Sequence, residues 1–593
     1  MRKKSTLPFQ TFLVVGLLSG FMAAANDTAQ KGAGMVDIPP ASVTVLTETW
    51  RAAEIVFESA TNYTNPLLQA DLSVLFTSPS GKTWAVPGFW DGGRTWRVRF
   101  APSEYGVWKY VSTCSNDSDT GLHGKSGTLG ANRYQGSLAI YQHGFLKTAP
   151  GVRYFMYADG TPFFYLGDTH WSMPQEPFDE MFRVVVDQRV AQGFTVYQSE
   201  PLGAKYNLAN GLNEADLPGF RELDRRFKYI ADAGLVHANA QLFFSPEIGQ
   251  RCYDDEYLAK LCRLWVARFG AYPVLWTTAQ EVDNDFYFDR GEQTQFDARS
   301  NPWKKVLAWV HAQDGYQHPG TAHMEFAGAR PEPKEFPPKA QRPRYGYGVM
   351  ASTSSFRQVP GHTWYAVQWT PPNASGIPWA IVRDFWENGQ GKPIINYEGS
   401  YDHLWTLEEG ARQQGWTAYL NGMFGQGYGA IDIWYHNSKY DMDQASVRGP
   451  VTITVEQKKT PWTTSVHFPS AIQLGVHMQH FLTAIEWWKL TPRFDDQAWF
   501  EPENSAWFSL ATIGADVYVL YLYNGATLAS GSLHHLRDAD YMAQWFNPKT
   551  GEYTSIGVFR PEKETQGEGW HWQIPAKPSA SDWVLLVKAR AKS

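Results

Sequence analysis

The chain has 593 residues, with 52 Lys and Arg against 59 Asp and Glu, a formal charge of −7. That balance excludes partners that need an overall basic surface, such as nucleic acid or an anionic membrane. Hydrophobic residues at 43% and charged residues at 19% exclude a disordered chain, and the length calls for several domains.

Residues 1–25 have the pattern of a secretory signal. Arg2, Lys3 and Lys4 precede an apolar run over 11–22, and Ala23-Ala24-Ala25 offers a cleavage site. The run is short for a membrane span. The expectation is an exported protein, periplasmic or extracellular, with no transmembrane segment after cleavage. Three cysteines, Cys114, Cys252 and Cys262, cannot make a full disulfide framework and read as buried thiols.

Residues 26–40 form a polar tail. Residues 41–136 alternate short strands with turns such as Ser78-Pro-Ser-Gly81, which reads as an antiparallel β-sandwich. Residues 137–160 are a linker. Over 161–500 strands alternate with helices. The strands are expected at 163–168, 194–200, 236–244, 274–281, 320–325, 363–368, 393–398 and 429–434. The helices are expected at 179–192, 216–233, 255–269, 303–313 and 407–420. Eight such units make a (β/α)₈ TIM barrel. A packing helix is expected near 476–486. Residues 501–593 return to an all-β pattern and read as a second antiparallel sandwich. The fold class is therefore multidomain α/β plus all-β, with the barrel flanked by two sandwiches.

Two glutamates end barrel strands: Glu281 in Trp276-Thr-Thr-Ala-Gln-Glu281 and Glu398 in Ile394-Ile-Asn-Tyr-Glu398. The carboxyl ends of barrel strands form the catalytic face, and two carboxylates in one cleft suffice to cleave a glycosidic bond. They lie 117 residues apart, against roughly 94 for three typical units. A Pro- and charge-rich insertion over 326–361 takes up the excess. Glu398 is expected as the nucleophile, held by the hydroxyls of Tyr397 and Tyr401, and Glu281 as the acid/base, against a wall including Trp276. Asp283 and Asp285 compete for the second role, and a buried structural carboxylate is the plain alternative for the first.

Other strand ends carry polar or aromatic groups suited to a sugar with many hydroxyls. Asp168, His170 and Trp171 end strand one, where an Asx cap with a packed Trp is the alternative. Gln198 ends strand two, His323 strand five, Gln368 strand six and Trp434 strand eight; Gln280 precedes the acid/base. The 26 Trp, 30 Tyr and 34 Phe supply cores and, in part, faces that stack on sugars. No histidine spacing marks a metal site, and neither metal nor cofactor is expected.

These residues carry a resemblance. Gly160-Thr-Pro-Phe-Phe-Tyr-Leu-Gly-Asp-Thr-His-Trp171, Gly193-Phe-Thr-Val-Tyr-Gln198, Lys392-Pro-Ile-Ile-Asn-Tyr-Glu398 and Gly425-Gln-Gly-Tyr-Gly-Ala-Ile-Asp-Ile-Trp434 resemble apiosidase-like (β/α)₈ hydrolases, relatives of glycoside hydrolase family 140. Trp545-Phe-Asn-Pro-Lys-Thr-Gly551 and Asp582-Trp-Val-Leu-Leu586 resemble a collagen-binding-type β domain. The resemblance implies an acid/base after strand four and a nucleophile after strand seven, matching Glu281 and Glu398. Gln280-Glu281 departs from the aspartate of apiosidase-type members and is closer to the Asn-Glu of retaining barrels, which turns the substrate away from apiose.

The expected function is a retaining hydrolase of a plant or algal polysaccharide or its oligosaccharides, acting from chain ends. The rival is a non-catalytic protein binding a glycan or matrix component. Sugar, linkage and oligomeric state carry no signal. The insertion is basic, with Arg330, Lys334, Lys339, Arg342, Arg344 and Arg357 against Glu332 and Glu335. Because it follows strand five it is expected beside the mouth of the catalytic face, where it suits an anionic glycan, sulfated or uronic; a solvated surface loop is the alternative.

Overall fold

A computed structural model describes residues 37–171, 173, 179–200, 212–239, 255–278, 303–324, 356–369, 379–403, 408–434, 460–525, 528–564 and 569–590. The signal-like segment, Gln280, Glu281, Asp283, Asp285 and most of the insertion lie outside them.

The centre is a closed parallel sheet. Its strands are β1 (Tyr165–Thr169), β2 (Val196–Ser199), β3 (Val236–Asn239), β4 (Val274–Thr277), β5 (Gly320–Thr321 and His323–Met324), β6 (Tyr365–Gln368), β7 (Ile394–Glu398) and β8 (Gly425–Tyr428). Each pairs in parallel with the next, β5 being interrupted at Ala322, and β8 pairs with β1. Around them lie α1 (Asp179–Ala191), α2 (Leu217–Asp232), α3 (Asp255–Phe269), α4 (Trp303–Gln313), α5 (Trp379–Asn388) and α6 (Glu408–Leu420). Strands buried on both faces read as short apolar runs, so most were expected where they occur.

Strand eight is a correction. It runs over Gly425–Tyr428, and the apolar stretch expected as a strand instead makes a helical turn, Ile431–Trp434. Glycine is required where the strand sits: a Cβ on Gly427 would meet the Tyr397 carbonyl oxygen at 2.1 Å, and one on Gly425 would meet Ile395 at 2.5 Å. Such a strand lacks the β-branched signal that marks the others. Helix α5 fills the interval between strands six and seven, for which the sequence reading gave no bounds. The packing helix is longer than expected, running without a break from Pro469 through a π-type turn at Gln473–Met478 to Thr483.

The N-terminal sandwich has a five-stranded and a three-stranded sheet. It is antiparallel except at one edge, where Val45–Glu48 runs parallel to Ser126–Asn132. Its core is continuous with α2, α3 and α4. Charges cross that interface: Arg99 and Arg268 both hold Asp224, at 2.7 and 2.6 Å. Burial opposes ionisation of Asp224, but the two guanidinium groups outweigh it and keep its carboxyl below the usual range.

The C-terminal domain pairs a six-stranded with a four-stranded antiparallel sheet, and its first strand, Thr491–Phe494, precedes residue 501. It is joined to α6 by a buried bidentate pair. Arg412 Nη2 and Nε donate to the two oxygens of Asp582 at 2.6 and 3.0 Å, and the Tyr521 hydroxyl donates to the same carboxylate. Cys114 and Cys262 are free and buried. Among the described residues no helix is long and apolar enough to cross a membrane.

Candidate functional site

Glu398 is the last residue of β7, at the carboxyl-end rim of the barrel, and is 6% exposed. Both carboxylate oxygens are engaged. The Tyr401 hydroxyl donates to Oε1, and the Gln368 amide, from the end of β6, donates to Oε2 at 2.9 Å. His323 Nε2, from β5, lies 3.6 Å from the same oxygen. Burial pushes the His323 imidazole down to about 3, so it faces Glu398 as a neutral ring.

Tyr401 is fixed from several sides. Its hydroxyl accepts the Trp171 indole N–H, and its ring stacks on Trp434 with centroids 4.8 Å apart. The loop that carries it is pinned to the loop after β8. Asp402 N donates to Gly429 O at 2.8 Å and Ile431 N to Asp402 O at 3.2 Å. The Asp402 carboxylate accepts from Ser470, and His403 lies 3.2 Å from Asp432. His403 sits at φ 69°, a left-handed conformation that costs energy for a residue with a Cβ. Burial first, and the neighbouring carboxylate second, push the Tyr401 phenol well above its usual range. It therefore stays protonated and remains a donor to Glu398.

The structure brings together Glu398, Tyr401, Gln368, His323, Trp171 and Trp434. Trp434 reaches the cluster from the helical turn after β8, not from a strand end. Tyr397 lies beneath: its hydroxyl points toward the Ala238 carbonyl at 3.4 Å, so it does not hold the nucleophile position as expected. Trp171 is 1% exposed and stacks on His323, so it does not offer the open face expected for a sugar.

Asp168 is a correction. Tyr165 points into the barrel, where its hydroxyl meets Gln198. Three residues on, strand alternation turns Asp168 outward. There it lies 3.0 Å from Arg189 of α1, each side chain 1% exposed. It is a structural carboxylate, not a sugar ligand. Burial raises its pKa, and Arg189 counters only part of that. His170 is fully buried, with Nδ1 2.9 Å from the Tyr197 hydroxyl. Gln198 fills the barrel interior, donating to the Tyr397 carbonyl at 2.8 Å beneath Gly167, whose Cβ would meet it at 2.0 Å. Neither opens onto the rim.

Trp276 points away from the barrel interior, donating to Asp314 at 2.8 Å; Glu281, for which it was expected as a wall, lies outside the described residues. The described strand toward Glu281 ends at the buried Thr277 and Thr278. The one described arginine of the insertion, Arg357, lies at the opposite end of the barrel, where Lys392, just ahead of β7, donates to its carbonyl at 2.8 Å. Asp402 and His403 gave no signal in the sequence, because their partners Ser470 and Asp432 sit on other elements. Among the described residues no cluster could hold a metal ion.

Comparison with known proteins accounts for the three-part layout. The family described as "Apiosidase-like, catalytic domain" matches residues 149–489. "Domain of unknown function (DUF5060)" matches 46–115, and "Putative collagen-binding domain of a collagenase" matches 501–588. No curated protein matches. A structure solved as a "putative glycoside hydrolase" from Bacteroides vulgatus is 17% identical and superposes with a TM-score of 0.63, covering 92% of this chain and 100% of that one. A glycoside hydrolase family 5 structure from the same organism is 17% identical with a TM-score of 0.57, over 76% and 95%. At that identity the likeness shows the fold alone, which is that of glycoside hydrolases. The catalytic-domain match spans more than half of the chain, and the chain belongs to the apiosidase-like family.

Proposed function

We propose that this chain is an exported retaining glycoside hydrolase, acting from the ends of a plant or algal polysaccharide or its oligosaccharides. Glu398 attacks the anomeric carbon. Glu281 protonates the leaving oxygen and then activates the water that releases the sugar. The observation that carries the reading is the environment of Glu398. Among the described residues, this carboxylate at the carboxyl end of β7 accepts hydrogen bonds on both oxygens, from Tyr401 and Gln368, beside a neutral imidazole. Hydrogen bonds to the charged form favour ionisation, and an ionised, oriented carboxylate is what covalent catalysis needs.

The test is turnover of an aryl-glycoside panel by the full chain and by Glu398→Gln. Hydrolysis that Glu398→Gln abolishes without loss of folding supports the reading. Glycan binding with no turnover of any member would favour a non-catalytic binding protein. The basic insertion extends the proposal to anionic glycans, resting on its charge alone. Arg342→Ala with Arg344→Ala should then lower kcat/KM on charged oligosaccharides and flatten its salt dependence, while neutral substrates are unaffected.

A further inference from the structure

Trp171 stands in contact with the machinery yet is closed to substrate: it is 1% exposed, and its indole N–H is spent on the Tyr401 hydroxyl. The direction of the resulting chain is fixed by chemistry. An indole nitrogen only donates, and an ionised carboxylate only accepts. The Tyr401 oxygen therefore receives the Trp171 proton, and its own proton goes to Glu398 Oε1. Hydrogen bonds in series polarise one another: a hydroxyl that accepts a bond donates a stronger one. We propose that Trp171 is a positioning residue that acts on Glu398 through Tyr401, strengthening the hydroxyl's bond to the carboxylate and holding the hydroxyl in line with it.

The placement suits that task. The Trp171 ring is held against His323, with centroids 5.7 Å apart and planes at 19°, and against Tyr397 at 5.4 Å. Its carbonyl accepts from Glu200 N at 2.6 Å. The indole is thus positioned independently of the Tyr401 loop. The coupling links the loop after β1 to the loop after β7. Among the described residues, the titratable groups facing Glu398 are Tyr401 on its own loop, His323 from β5 and Tyr397 beside it on β7. Glu200, beyond β2, acts in turn on Tyr397. Thr169, at the end of β1, is a further neighbour of the Tyr401 hydroxyl.

The inference rests on Glu398 being the nucleophile for its functional meaning, but it can be read without turnover. The experiment is a ¹³C NMR titration of the full chain labelled at the glutamate Cδ, with Glu398 assigned by its absence in Glu398→Gln. Trp171→Phe keeps an aromatic ring and deletes the N–H. It should raise the Glu398 midpoint by about 0.3–0.5 pH unit, the fraction expected when one bond of a coupled pair is lost. Tyr401→Phe should raise it more, and adding Trp171→Phe to Tyr401→Phe should change nothing further, since the path then has no middle member. A midpoint unmoved by Trp171→Phe, or a shift that adds in full to that of Tyr401→Phe, overturns the proposal. If Trp171→Phe does not fold, uniform 5-fluorotryptophan, whose N–H is more acidic, decides the matter. It should lower the midpoint in the unaltered chain and leave it in place in Tyr401→Phe; no shift, or the same shift in both, overturns the proposal. Aryl-glycoside turnover by the same proteins reports separately on the hydrolase reading. Loss of that reading would leave the measured coupling standing.

Discussion

Arg189 Nε lies 3.0 Å from Asp168 Oδ1, and both side chains are 1% exposed. The pair joins β1 to α1, and Arg189 also donates to Gln192 and to the Val466 carbonyl. Removing one member of such a pair strands the other as an uncompensated buried charge. Asp168→Ala should therefore destabilise the fold by about 3–5 kcal/mol, whereas a sugar ligand would show its loss in KM with stability preserved. Urea unfolding monitored alongside kinetics separates these outcomes. Unchanged stability with a raised KM would return Asp168 to the substrate site.

The same residue shows what the sequence could and could not convey. The apolar runs of β1, β4 and β7 were legible because parallel strands are buried on both faces. The side to which Asp168 points was not, because it depends on strand parity, and a slip of one residue reverses every side chain. Tyr165 had to be seen entering the barrel before Asp168 could be placed outside it. Tyr401 was legible as a partner of Glu398 since it lies three residues away. Trp171 was visible as an aromatic near the site, but its connection to Tyr401 spans 230 residues. β8 was misplaced because its glycines, needed for close approach to Tyr397 and Ile395, erase the strand pattern.

Three buried histidines predict acid sensitivity. Burial holds His237 and His323 down to about 3, and burial together with Lys392 holds His362 well below its usual 6.5. Their folded pKa values are depressed, so the unfolded chain binds protons that the folded one refuses. Stability should then fall as pH drops from 6.5 toward 3, with a limiting slope of about 4 kcal/mol per pH unit for three groups. Denaturant unfolding at a series of pH values measures it. His237→Asn should remove about a third of the slope. An unchanged slope would mean that His237 is not held neutral.

The bidentate Arg412–Asp582 pair predicts that the C-terminal domain is a structural part of the barrel. Asp582→Asn should cost about 3–5 kcal/mol, because Arg412 is 1% exposed and would lose its counter-charge. Limited proteolysis should then cut ahead of Thr491 and release the domain. Resistance equal to that of the unaltered chain would show that the apolar contacts alone hold it.

The two proposed catalytic roles differ in their dependence on the leaving group. Glu281→Ala should slow natural glycosides by about 10²–10⁴-fold, the usual weight of general acid catalysis, and aryl glycosides with good leaving groups far less. Azide should then partly restore its turnover by attacking the glycosyl-enzyme. Equal losses on both substrate types without rescue would move the acid/base role to Asp283 or Asp285.

The central proposed step is formation of a covalent bond between Glu398 and the sugar. The most direct measurement uses a 2-deoxy-2-fluoro glycoside with a dinitrophenyl leaving group, built on whichever sugar the panel shows to be hydrolysed. It is incubated with the chain, followed by peptide mapping by mass spectrometry. The expected result is one sugar per chain, carried on the peptide containing Glu398 and absent in Glu398→Gln. A label on another carboxylate, or no label with a product of inverted configuration, would contradict it.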